Sequence, residues 1–168
     1  LESTLQLELS NDFWQSRLPN NLETNSSLSP AWSAFNAALV ILEAKTLFSS
    51  ISIDKLLDPT TNANKSSLER HHLFPKHYLE KLGIDQEKLR NQVANYAYVE
   101  WNDNIDISDK SPQEYLPSYL HRYPLEEIEK MYYWHALPKD WETMEYKEFL
   151  QNRRQLMAKV IRDAFEKL

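Results

Sequence analysis

The chain has 168 residues, of which 42% are hydrophobic and 12% aromatic, with a net charge of −6, one glycine and no cysteine. That length suits one domain with a core of useful size and excludes two full ones, and so many rings argue against disorder. The composition also excludes a disulfide framework, a thiolate metal site, a cysteine nucleophile and glycine-rich phosphate loops.

The acidity is uneven. Residues 1–64 hold three Lys/Arg against seven Asp/Glu, whereas residues 65–122 and 123–168 each hold eight against nine. No apolar run approaches the roughly 20 residues of a membrane helix, and Glu43 and Lys45 interrupt the most apolar stretch. The absence of cysteine is compatible with a reducing compartment. The missing initiator methionine and signal pattern point to a fragment whose upstream domain is absent.

In chain order, the alternation from Leu5 to Leu9 predicts a short strand or extended arm, and "RLPNNLETNSSLSP" reads as loop. Ser29 and Pro30 form a helix start signal, and Trp32, Phe35, Leu39, Leu42 and Phe48 predict a buried helix over 30–48. "SIDKLLDP" predicts a short helix stopped before Pro59, and "TTNANKSS" a polar linker. After Gly83 a charged helical turn gives way to a strand over Tyr96–Val99. Ser111 with Pro112 opens another helix, Pro124 a further one, and a long amphipathic helix closes the chain, with Phe149, Leu156, Val160 and Phe165 near one face. The predicted class is α+β, predominantly helical around one small β element.

The chemistry-bearing pattern begins at "HHLFP", His71 to Pro75. Asn95 lies 23 residues after His72, Asn104 nine after Asn95, and "IDISDKSP" follows. An imidazole of ordinary pKa about 6.5 can deprotonate a water near neutral pH, a step that hydrolysis needs. Neighbouring strand residues point to opposite faces, so both histidines serve one site only if the strand is twisted or irregular there.

This order of residues resembles the HNH, or ββα-metal, nucleases. The resemblance implies a β-hairpin-and-helix core over 65–122, a helical extension over 1–64 packed on it, and C-terminal helices over 123–168 of the same domain. It implies His72 as general base, Asn95 orienting it from the second strand by tying the loop to the hairpin, and His71 with Asn104 as ligands. Asn102 and Asp103 are rival ligands to Asn104. The metal would be Mg²⁺ or Mn²⁺, with Zn²⁺ or Ni²⁺ as alternatives, and two uncharged ligands imply weak binding without substrate. More narrowly, "ERHHLFPKHYLEKLG" and "RNQVANYAYVEWNDNIDISDKSPQEYL" look like the C-terminal region of proteins related to GmrSD-type restriction systems. There a ParB-like domain precedes the nuclease and the target is foreign, often modified, DNA.

Lys76, Lys110 and Arg122 are the leading candidates for phosphate contact, with Lys81 behind them. His77 reads as a surface residue, and His121 and His135 as packing or surface residues. Arg153 and Arg154 read as the charged outer face of the last helix, and Tyr132, Tyr133 and Trp134 as helix core. The alternative function is a catalytically silent nucleic-acid-binding or regulatory module on the same scaffold, which the acidic net charge favours. A helical interaction domain docking on the upstream region is the third reading.

Overall fold

The computed structural model describes residues 9–54, 68–100 and 107–168. Among these residues the architecture is α+β, with one two-stranded antiparallel sheet and seven α-helices. No helix among them is long and apolar enough to cross a membrane.

The first departure from expectation comes early. A π-helical turn, Phe13–Arg17, runs into α1 (Leu18–Asn21), where the polar composition predicts loop. Trp14, Leu18 and Leu22 recur four apart and are all buried, so an apolar stripe recruits this segment into helix despite its asparagines.

Helix α2 (Pro30–Ile41) starts where predicted: the Ser29 side chain accepts the Trp32 N–H at 3.2 Å, and Pro30 occupies the first turn. It ends well before Phe48. Glu43 adopts a left-handed φ of 55°, and the Ala44 N–H reaches back to the Leu39 carbonyl at 2.8 Å. These are the bonds of a Schellman stop made without glycine. The chain then folds back through a Lys45–Ser52 bridge, and the Leu47 N–H bonds the Tyr98 carbonyl at 2.9 Å. Phe48 stacks on Tyr119 at 4.6 Å instead of continuing the helix. The expected strand lies outside the described residues up to residue 8, as does the expected "SIDKLLDP" helix from residue 55 and the linker after it.

Strand β1 (Leu68–His72) pairs with β2 (Tyr96–Glu100), with Arg70 opposite Tyr98, His71 opposite Ala97 and His72 opposite Tyr96. Their connection carries α3 (Lys76–Lys81), α4 (Glu87–Arg90) and a 3₁₀ turn, Val93–Asn95. Gly83, at φ 77°, lets α3 stop with the Ile84 N–H on the Leu79 carbonyl at 2.9 Å.

Helix α5 (Pro112–Leu120) opens with a reciprocal capping box between Ser111 and Glu114. Helix α6 (Leu125–Trp134) follows Pro124, and α7 (Tyr146–Lys167) is capped by the Glu145 carboxylate on the Lys147 and Glu148 N–H groups. Tyr146, Phe149, Leu150, Met157, Val160 and Ala164 form the buried stripe of α7, while Phe165, expected near it, is 44% exposed. One apolar cluster runs from Trp14 to Ala164 and takes residues from all three predicted segments.

Candidate functional site

Strand β1 holds its ladder up to His72, and the chain bends immediately afterwards at Leu73 and Phe74. Every backbone polar group of that bend has a partner. The Leu73 N–H donates to the Asn95 carbonyl at 2.8 Å, and the Leu73 carbonyl accepts the Tyr115 hydroxyl at 2.7 Å. The Phe74 N–H donates to Asn95 Oδ1 at 2.9 Å, and Asn95 Nδ2 donates to the Phe74 carbonyl at 3.1 Å and to the Arg90 carbonyl at 3.0 Å. Asn95 is fully buried, and one carboxamide thereby clasps the turn after β1 to the loop before β2. It does so from the 3₁₀ turn just ahead of β2, not from within the strand as expected. Phe74 secures the bend by packing its ring at 4.7 Å from Phe149, 5.2 Å from Tyr146 and 5.8 Å from Trp141.

Regular pairing through His72 places the two imidazoles on opposite faces of the ladder. His71 is buried, its ring edge-on to Tyr115 of α5 at 6.3 Å. His72 is half-buried on the other face, with its ring 4.5 Å from that of Tyr96 and Nε2 3.0 Å from Asn91 Oδ1. Asn91 Oδ1 also accepts the Tyr96 hydroxyl at 3.3 Å. An amide oxygen only accepts, so His72 donates from Nε2–H and Nδ1 keeps the lone pair.

Burial pushes the pKa of His72 down. The Asn91 hydrogen bond opposes that shift, and the positive charges of Arg90, Lys76 and Arg70 reinforce it. The ring is therefore neutral at neutral pH, in a cationic surrounding. Arg70 is exposed and lies over the Tyr96 ring at 5.5 Å, and Lys76 is exposed in the first turn of α3. Arg90 is mostly buried and bonded to the Glu80 carboxylate, whose second oxygen meets His77 Nδ1 at 3.0 Å.

The other candidates separate from this cluster. Arg90, Lys76 and Arg70 are the leading charges on His72, and Lys110 and Arg122 are not among them. Lys110 sits in the exposed turn before α5, and Arg122 lies beyond the end of that helix with its guanidinium 4.6 Å over the Tyr119 ring. Lys81 pairs with Asp109 at 3.6 Å. His77 and His121 are exposed, as predicted for His77, and His135 is buried, donating from Nε2 to the Lys45 carbonyl at 2.9 Å. Asn104 and its rivals Asn102 and Asp103 lie outside the described residues. Among the described residues no three His, Asp or Glu side chains converge as metal ligands. Of the expected pair only His71 is described, a single imidazole, which by itself does not make a divalent-ion site.

Arg153 and Arg154 correct the expectation of a charged outer face. Arg153 is fully buried, donating from Nε to the His135 carbonyl at 3.1 Å and from Nη1 to the Ala94 carbonyl at 2.7 Å. Arg154 is half-buried and bonds Gln92 Oε1 at 2.9 Å and Glu23 at 3.3 Å. Sequence reasoning also missed Arg70, Asn91 and Tyr96. Period-two alternation from His72 points to Arg70, and the pairing register to Tyr96, whereas nothing local marks Asn91.

No protein-family model, curated protein or solved structure matches the chain.

Proposed function

We propose that this chain is a metal-dependent endonuclease domain of the HNH type, hydrolysing DNA phosphodiester bonds. The observation that carries the reading is the environment of His72: a neutral imidazole, fixed as the Nε2–H tautomer by Asn91, with Arg70 and Lys76 exposed beside it. In this reading Nδ1 of His72 takes the proton from the attacking water. The neighbouring cations receive the phosphodiester, whose negative charge would offset the cationic repulsion that adds to burial in keeping the ring from holding a proton. Asn95 acts through the backbone, fixing the bend that aims His72. The order of a hairpin followed by α5, with Tyr115 bonded to the bend, supports assigning the ββα-metal core to this region.

The resemblance assigns a divalent cation, Mg²⁺ or Mn²⁺ before Zn²⁺ or Ni²⁺, to His71 and Asn104. Such an ion would supply charge stabilisation at phosphoryl oxygens. The ladder is regular through His72, however, and sets His71 on the opposite face, so the metal role of His71 rests on the resemblance alone. The described strand does not bring it to the His72 site. A role in restriction of foreign DNA, in the bacterial cytoplasm and alongside an upstream ParB-like domain, follows from the same resemblance.

The test is nicking of supercoiled plasmid in Mg²⁺ or Mn²⁺. The wild-type protein is expected to relax the plasmid and His72→Ala to leave it intact while keeping its circular dichroism spectrum. Unchanged cleavage by the variant refutes the role of His72. The net charge of −6 favours a second reading, a nucleic-acid-binding module without catalysis. That reading predicts salt-sensitive DNA binding with no product at any enzyme concentration.

A further inference from the structure

Helix α7 grips the loop that carries Arg90 and Asn91. Tyr146 and Arg153 are seven residues apart, two helical turns, and so share one face. The Tyr146 hydroxyl lies 3.0 Å from the Leu89 carbonyl and 3.3 Å from the Arg90 carbonyl. Arg153 Nη1 holds the Ala94 carbonyl at 2.7 Å, and Arg154, next along the helix, holds the Gln92 side chain at 2.9 Å. From Leu89 to Ala94 the loop therefore presents three carbonyls and one carboxamide to α7, and all four are taken. Asn91 sits in the middle of this span, pointing the other way, to His72 and Tyr96. The Arg90 carbonyl is shared: it accepts from Tyr146 and from the Asn95 clasp.

We propose that Tyr146 and Arg153 are positioning residues for His72, acting from α7 through the 89–94 loop to hold Asn91 against the imidazole and so to select its Nε2–H tautomer. The burial of both side chains is what gives these contacts leverage. Tyr146 and Arg153 are 2% and 0% exposed, so their donors have no water to turn to and must follow the loop carbonyls. Arg153 also reaches the His135 carbonyl at 3.1 Å, which fixes the guanidinium from its other side. A displacement of α7 by a fraction of an ångström is thus passed to Asn91, since the four contacts leave the loop no independent rest position.

This inference rests on the reading of His72 as a base, but its test does not need activity. Long-range ¹H–¹⁵N spectra of the histidine rings report tautomer and protonation directly. In the wild type His72 is expected as the Nε2–H form. Asn91→Ala, which removes the acceptor, is expected to raise the Nδ1–H share. Tyr146→Phe keeps the ring packing on Phe74 and is expected to shift the tautomer share in the same direction by a smaller amount. Tyr123→Phe serves as the control for simple loss of a part-buried tyrosine hydroxyl bonded to a backbone carbonyl, because its bond goes to Phe48. It is expected to leave the His72 signals where they are. If Tyr146→Phe lowers stability as Tyr123→Phe does and leaves the His72 tautomer unchanged, the positioning role is wrong. If the tautomer shifts while the wild-type protein cuts no DNA, the positioning stands and the nuclease reading fails. If the wild type cuts, Tyr146→Phe is expected to reduce kcat about three- to tenfold with KM unchanged, the scale of one weakened hydrogen bond.

Discussion

Replacing Asn95 by alanine tests the clasp that ties the two strands together behind the site. The side chain is 0% exposed and makes three hydrogen bonds, two to Phe74 and one to the Arg90 carbonyl. Truncation leaves the Arg90 carbonyl with the Tyr146 hydroxyl at 3.3 Å, so the groups stranded in the interior are the Phe74 N–H and carbonyl. Each buried polar group deprived of its partner costs about 1–3 kcal/mol, giving about 2–6 kcal/mol in all. Domains of this size hold about 5–15 kcal/mol of stability, so the loss is a large share of the total. Urea denaturation measures it as a lowered midpoint at unchanged slope. Asn95→Asp sharpens the test. The carboxylate still accepts the Phe74 N–H, but its second oxygen faces two carbonyls where an amide donated. Burial raises its folded-state pKa above the ordinary value of about 3.9. The folded form then binds more protons than the unfolded one between those two values, so stability falls as pH rises and recovers on acidification. A cost below about 1 kcal/mol for Asn95→Ala, with the wild-type slope, refutes the clasp as the element that holds the bend.

Three further outcomes follow from the structure. The pKa of His135 is lowered to about 4 from 6.5, chiefly by burial, so the unfolded chain binds the extra proton in that window. Acidification from pH 6.5 to 4 is expected to cost about 3 kcal/mol on this account, at 1.36 kcal/mol per pKa unit. The difference between the wild-type and His135→Gln pH–stability curves should contain that slope, and parallel curves count against it. Glu43 and Gly83 both close helices at positive φ, so Glu43→Gly is expected to stabilise and Gly83→Ala to destabilise, each by about 1 kcal/mol, read by thermal denaturation. Phe74→Ala, emptying the ring's place among Tyr146, Phe149 and Trp141, is expected to cost about 3–5 kcal/mol. A midpoint shift under a third of that would mean the surrounding rings collapse into the space.

Helix starts were legible because capping chemistry is local: Ser29 with Pro30, and Ser111 with Pro112 and Glu114, act where they stand. Helix ends were less so. With one glycine in the chain, the left-handed stops of α2 and α6 fall on Glu43 and Ala136, which carry no stop signal, and α2 was read seven residues too long. The helix at Phe13–Asn21 was hidden by its asparagines, although Trp14, Leu18 and Leu22 keep a four-residue spacing. At the site, the tie made by Asn95 was expected only through the family resemblance, whereas Asn91 was not expected at all, since a loop of the right length has many positions able to face His72. Arg153 falls on the buried stripe of α7 between Leu150 and Met157. Its charge argued for the surface, and only the folded chain shows two carbonyls waiting for it.

The central claim is that a neutral His72 takes the proton from water. The most direct measurement is the single-turnover rate of plasmid nicking between pH 5 and 8, in Mg²⁺ or Mn²⁺, for the wild type and His72→Ala. Because the pKa of His72 lies below its ordinary value of 6.5, the wild-type rate should hold level as pH falls to 6.5. It should then decline tenfold per pH unit once the ring protonates, while the variant gives no product at any pH. Cleavage by His72→Ala at the wild-type rate, or a wild type that forms no nicked product across the whole range, contradicts the account.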